Sequence, residues 1–229
     1  MYECYKLLPH ENYVYFADYD NMPYGDKDAT QLRESIRGKL SWLIKEYKPC
    51  VVVLACNTAT SLVIGHMREL YPDIIFVGTE PALIPAIRQG GKTLLLATNN
   101  TIDNSRLYKL VSKYFNIHAY SPPEFASFVE QNINNTKEIT DYLQTDFAQY
   151  IGQYDNVVLG CTHYVLCAKQ IASVLQARVY DGNNGIARRL ESLLDLFGLH
   201  SNDGGIRFVN KGQMYTKLTN IFVEMSRRL

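Results

Sequence analysis

Short apolar runs alternate with longer stretches of helical periodicity from residue 13 to residue 197. Nothing else in the chain constrains its fold as strongly. Parallel strands need a long crossover, and the crossover is usually a helix, so the alternation predicts α/β architecture with parallel sheets flanked by helices. The runs read as strands are YVYFA (13–17), 50–55, DIIFVG (73–78), TLLLAT (93–98), 116–120, 156–160 and RVYD (178–181). After the first of these, Asp28 is placed to cap a helix with Gln31 as its capping-box partner. Leu32, Ile36, Leu40 and Leu43 follow at helical spacing. Further helices are read from the turn at residue 56 to Leu70, from Thr79-Glu80-Pro81, from Ser105, and over 123–133, 134–151, 165–176 and 185–197. Gly198 suits a C-cap, and 200–205 reads as a loop.

Two of the strands end alike. Residues 51–58 read VVVLACNT and residues 156–163 read NVVLGCTH. Each delivers a small residue, a cysteine and a threonine at its carboxyl end, which suggests two related halves facing one site. In parallel α/β sheets, ligands bind beyond the carboxyl ends of the strands. Both cysteine turns, TNNT at 98–101 and NMPYG at 21–25 fall at such ends.

Free backbone N–H groups and a helix dipole at such a turn favour an anion. Asn57, Thr58 and Thr162 add side-chain donors, so a carboxylate ligand fits. The same field is expected to lower a thiol's pKa from its usual value of about 8.5. His163 lies two residues past Cys161, where it can orient a neighbour or donate a proton. Moving a proton from one face of a carbon to the other needs an acid/base group on each side, and Cys56 and Cys161 are the candidate pair. A thiol hydrolase with Cys161 as nucleophile and His163 as base is a rival, but it leaves the matching turn at Cys56 unexplained. Cys161-x-His163 offers two metal ligands with no second cluster at zinc spacing, so no metal is expected. Cys4, Cys50 and Cys167 read as small core residues, and His66 and His118 as structural.

Composition narrows the classes. A chain of 229 residues fits one large domain or two small ones. Lys plus Arg and Asp plus Glu number 23 each, so there is no electrostatic case for nucleic acid. No apolar run approaches the roughly 20 residues that cross a bilayer, so no membrane role is read. The opening MYECYKLLPHE lacks a signal peptide's apolar stretch, and a cytoplasmic location is expected. The five cysteines include no C-x-x-C pair, which disfavours a disulfide framework.

The segments MPYG (22–25), ACNTAT (55–60), EPALIPA (80–86), ATNNTI (97–102), PEFASFVE (123–130) and LGCTHY (159–164) together resemble the glutamate racemases, of the cofactor-independent aspartate/glutamate racemase superfamily. The resemblance implies two pseudo-symmetric α/β domains with the active site between them. The first would hold residues 1–80 plus 187–229, and the second 81–186. It implies that Cys56 takes the Cα proton from D-glutamate and Cys161 from L-glutamate. Asn57, Thr58, Thr162 and His163 would hold substrate with Tyr24, Gly25, Thr98 and Thr101, while Glu130 and His163 match residues that tune the thiols. Histidine after the second Cys-Thr points to glutamate, since aspartate racemases usually carry glutamate there. No cofactor is implied. Glutamate is the expected small-molecule partner, a homodimer the expected assembly, and D-glutamate for peptidoglycan the expected product.

The family opens with a short apolar strand ending in Asp-Ser-Gly, then a helix leading to a Leu-Pro like Leu8-Pro9. That opening does not precede Leu8 here, so the expectation is a recorded start that lies too late, with unpaired edges in the first sheet. A carboxylate-binding protein that kept the fold and lost turnover is the competing reading. Val165 stands where proline is usual, and Asp181-Gly182 where Asp-Ser is common.

Overall fold

The structure, a computed structural model, describes residues 1–25, 27–201, 203–210 and 213–214. In chain order the elements are α1 (Tyr2–Leu7), β1 (Asn12–Phe16), α2 (Ala29–Tyr47), β2 (Val51–Leu54), α3 (Asn57–Leu70), β3 (Ile75–Gly78), α4 (Leu83–Gln89), β4 (Thr93–Ala97), α5 (Asn99–Ile102) and α6 (Ser105–Ser112). They continue with β5 (Ile117–Tyr120), α7 (Phe125–Gln131), α8 (Thr136–Asp146), β6 (Asn156–Gly160), α9 (Ala168–Leu175), β7 (Arg178–Tyr180), α10 (Asn183–Phe197), β8 (Gly205–Asn210) and β9 (Gln213–Met214). Residues 215–229, assigned above to the first domain, lie outside the described residues.

The largest sheet has the order β5-β4-β6-β7, all parallel. Every residue of its central strands β4 and β6 is buried. Such strands read as unbroken apolar runs because helices cover both faces. The pleat divides their side chains. Leu94, Leu96, Val157 and Leu159 pack with Phe125, Leu143, Phe147 and Ile171 on one side. Leu95, Ala97 and Val158 pack with Leu83 and Ala86 on the other. Phe125 and Tyr164 meet with ring centroids 4.9 Å apart, which packs α7 against the turn that follows β6.

The remaining strands form two sheets. Among the described residues β2 pairs only with β3, in parallel; β1 pairs with β8 in parallel, and β8 with β9 antiparallel. Leu54 and Phe76 pack under Leu32, Ile36, Leu40, Val63 and Met67 of α2 and α3. Val51 and Val53 pack instead against Cys4, Leu8, Leu190 and Leu194. Asp28 caps α2 as read, accepting from the N–H groups of Thr30 and Gln31, each at 3.0 Å. Gly198 ends α10 in the left-handed conformation, φ 63°.

The structure corrects several boundaries. The α-helix read over 134–151 stops at Asp146 and is followed by a short 3₁₀ turn. α4 begins at Leu83 rather than at Thr79. The TNNT turn is itself a helical turn, α5. β8 was not read at all. Its partner β1 lies some 190 residues away, so the pairing is purely tertiary. Glu11 fastens it by accepting from the Ser201 N–H at 2.8 Å and pairing with His200 at 2.6 Å. Gly204, at φ 54°, lets the chain pass close to the Pro9 carbonyl. No helix among the described residues is long and apolar enough to cross a membrane.

Candidate active site

The first cysteine turn is built from threonines. Thr60 Oγ1 and Thr79 Oγ1 both donate to the Leu54 carbonyl, at 3.2 and 2.8 Å, and the Thr79 N–H donates to Thr60 at 2.9 Å. These bonds hold the end of β2, from which Cys56 follows as the N-cap of α3. The N–H groups of Ala59 and Thr58 and the Thr58 hydroxyl face its sulfur. They lower the thiol's pKa, as expected of a helix start, but burial outweighs them and the net shift is upward. Asn57 and Thr58 are buried beside it. Among the described residues nothing donates to Asn57 Oδ1, a buried acceptor without a partner.

The second turn differs locally. Cys161 follows β6, but the chain enters a 3₁₀ turn (Tyr164–Cys167) before α9 starts at Ala168. The helix read over 165–176 is therefore α-helical only in its later part. The His163 and Tyr164 N–H groups face the Cys161 sulfur, yet burial pushes its thiol up to about 12, and nearby Cys56 adds to the rise. The expectation of two acidified thiols is thus reversed, because burial outweighs a few N–H dipoles. His163 Nδ1 lies 3.8 Å from Cys161 Sγ, and its Nε2 lies 3.3 Å from Glu130 Oε2. Thr162 is half-buried between them in the chain.

A line of hydroxyls joins the turn at Cys56 to the turn after β4. Thr58 Oγ1 is 2.9 Å from Thr98 Oγ1, which is 3.1 Å from Thr101 Oγ1, and all three residues are buried. Gly25 sits hard against Thr98: a Cβ added there would lie 2.6 Å from Thr98 Cγ2. Tyr24 packs in the same cluster as Cys56. Its hydroxyl donates to Asp18 Oδ2 at 2.6 Å, and burial together with that carboxylate pushes its pKa up. Tyr24, Gly25, Thr98 and Thr101 are thus linked through Thr58 and the packing cluster to the turn at Cys56, and Glu130 through His163 to the turn at Cys161, while Thr162 is placed by chain adjacency alone.

Three supporting residues went unread. Asp18 also accepts from Lys39 Nζ at 2.6 Å and Asn21 Nδ2 at 3.0 Å. Burial alone would raise its pKa, but these donors and the Lys39 charge hold it below the usual carboxylate value. Asn100 Nδ2 donates to the carbonyls of Gly25 and Lys27 at 3.0 and 3.1 Å. A run such as YFADYDNMPYG shows an acid before a turn but not that a lysine of α2 will reach it. Among the described residues no group of three or more His, Cys, Asp or Glu side chains is placed to hold a metal ion.

The site thus offers two thiols, a partnerless amide oxygen and buried hydroxyl and N–H donors: acid/base groups beside a place for a carboxylate. The sequence profile of the Asp/Glu/Hydantoin racemase family matches residues 6–190. The glutamate racemase of Clostridium acetobutylicum is 34% identical over 220 residues, covering 91% of this chain and 85% of that protein. The glutamate racemase of Clostridium botulinum (strain Okra / Type B1) is 35% identical over 200 residues, covering 84% of this chain and 77% of its own length. Among solved structures, Escherichia coli glutamate racemase in complex with L-glutamate and the activator UDP-MurNAc-ala superposes with a TM-score of 0.82 at 27% identity, covering 99% of this chain and 88% of that one. This chain belongs to the Asp/Glu/Hydantoin racemase family and, within it, is an amino-acid racemase of the glutamate racemase group.

Proposed function

We propose that the enzyme interconverts L- and D-glutamate by proton transfer between Cys56 and Cys161 at the substrate Cα, supplying D-glutamate for peptidoglycan. The observation that carries this reading is that two cysteines delivered by different strands stand close enough for the charge of Cys56 to raise the Cys161 thiol. One thiolate takes the Cα proton, and the thiol on the opposite face returns one. Reversing the roles runs the reaction backward.

Removing that proton builds negative charge on the substrate carboxylate. The buried Thr58, Thr98 and Thr101 hydroxyls, with the N–H groups at the two turns, are fixed donors, and such pre-placed donors stabilise developing charge strongly. Asn57 Oδ1 supplies an acceptor for the substrate ammonium. That ammonium also brings the positive charge that a buried thiol needs in order to ionise. His163, oriented by Glu130, stands within reach of the Cys161 sulfur and carries its proton traffic. Residues 1–80 with the returning C-terminal chain, and 81–186, would form the two walls of the cleft. The protein is read as cytoplasmic, with a homodimer as its candidate assembly.

Incubation with L-glutamate in D₂O tests the reading. Deuterium should enter Cα while the optical rotation decays to zero. Cys56→Ser and Cys161→Ser should each lower racemisation by about 10²-fold or more, the range of a positioned acid/base group. A chain that racemises normally without Cys56 would sink the two-thiol mechanism, and a wild-type chain that exchanges no deuterium would sink the substrate.

A further inference from the structure

Asn100 lies in α5, between the substrate-facing threonines, and no step of the reaction uses it. Its amide nitrogen carries two hydrogens, and both are committed: one to the Gly25 carbonyl at 3.0 Å, the other to the Lys27 carbonyl at 3.1 Å. Two carbonyl oxygens facing the same atom fix which end of the amide points at them, since the amide oxygen there would be repelled. The bonds span more than 70 residues and tie the turn after β4 to the loop that leaves β1.

That loop carries Tyr24 and Gly25, and it is fastened twice. Asp18 holds its start through Asn21, Tyr24 and Lys39 of α2. Asn100 holds its end. At the second anchor Gly25 is pressed onto Thr98, whose hydroxyl lies between those of Thr58 and Thr101. Loosening the end of the loop moves Tyr24 away from Cys56 and Gly25 away from Thr98 together.

We infer that Asn100 is a positioning residue of the racemase, whose amide clamps the Tyr24–Gly25 turn onto Thr98 and thereby sets the affinity for the amino-acid substrate. Both of its donated bonds go to loop carbonyls and neither to a thiol, so the clamp acts on binding rather than on proton transfer. The inference rests on the racemase reading above.

Two variants and two readouts test it. Asn100→Ala removes both donated bonds. Asn100→Asp keeps the side chain's shape but turns an oxygen toward two carbonyls. Each should raise KM for both enantiomers by about tenfold, the loss of two ordinary hydrogen bonds, with kcat within about threefold of wild type. Hydrogen–deuterium exchange of residues 18–25 in the ligand-free protein should quicken in both variants while β4 and β6 stay protected. An unchanged KM, a loss confined to kcat, or wild-type exchange over 18–25 would overturn the clamp. If Asn100→Ala fails to fold, Asn100→Asp and its exchange pattern decide alone. The exchange readout needs no turnover, so a wild-type protein inactive on glutamate sinks the substrate reading and leaves the clamp to be judged on exchange.

Discussion

Thr58 lies in the first turn of α3, after β2, and Thr98 directly follows β4 of a different sheet, and their hydroxyl oxygens lie 2.9 Å apart. This contact joins the turn that begins α3 to the turn that follows β4. Both residues are buried, so the pair is protected from competition by water.

Replacing Thr98 with Val tests that junction. The shape is kept, but the Thr58 and Thr101 hydroxyls lose a partner. A buried polar group left unpaired costs about 1–3 kcal/mol, so kcat/KM should fall by roughly tenfold to hundredfold. Steady-state kinetics in both directions check this. The fall must be equal for L- and D-glutamate, since racemisation has an equilibrium constant of one.

The thiols should be unreactive at neutral pH when the site is empty. Burial raises the pKa of both Cys56 and Cys161, so each is protonated there. Iodoacetamide followed by peptide mass spectrometry should label exposed Cys50 first. Labelling of Cys161 should then accelerate by about tenfold per pH unit above about pH 8, because the thiolate is the nucleophile. Rapid labelling of Cys161 at neutral pH would contradict the burial argument.

Gly160 immediately precedes Cys161, and a Cβ there would lie 2.6 Å from Ala97 Cβ and 3.0 Å from the Leu96 carbonyl. Gly160→Ala must part β6 from β4 at the point that delivers the thiol. Overpacking of this kind costs about 1–3 kcal/mol of stability. A shift of the thiol by a fraction of an ångström should also lower kcat by about tenfold or more. Urea unfolding and initial rates measure the two effects separately.

His200 pairs with Glu11 at 2.6 Å and with Asp195 at 2.8 Å, and these carboxylates raise its pKa. A raised histidine stabilises the fold fully below its unfolded value of about 6.5, and that contribution is lost as pH climbs through the higher folded value. His200→Ala should therefore lower Tm more at about pH 6 than at about pH 9. Thermal melts across that range would show it. An equal loss at both ends would mean that packing, rather than charge, holds β8 to β1.

Much of the fold was legible because strand and helix periods differ and each local run obeys one of them. Leu94 to Ala97 and Asn156 to Gly160 read as buried strands from apolar continuity alone. The paired cysteine turns showed where chemistry sits, since a parallel sheet presents the carboxyl ends of its strands on one side. β8 escaped notice because its pairing with β1 closes a loop of some 190 residues that no local pattern encodes.

Residue identity by itself pointed to two thiols with Asn57, Thr58, Thr162 and His163, and the family resemblance added Tyr24, Gly25, Thr98, Thr101 and Glu130 to the expected site. Only the tertiary structure decided their state. Burial depends on what the rest of the chain places around a side chain, and it reversed the thiol shift that the helix start alone would produce. Asp18, Lys39 and Asn100 act through partners far from them in sequence, so their part in holding the Tyr24–Gly25 turn exists only once the sheets and helices have packed.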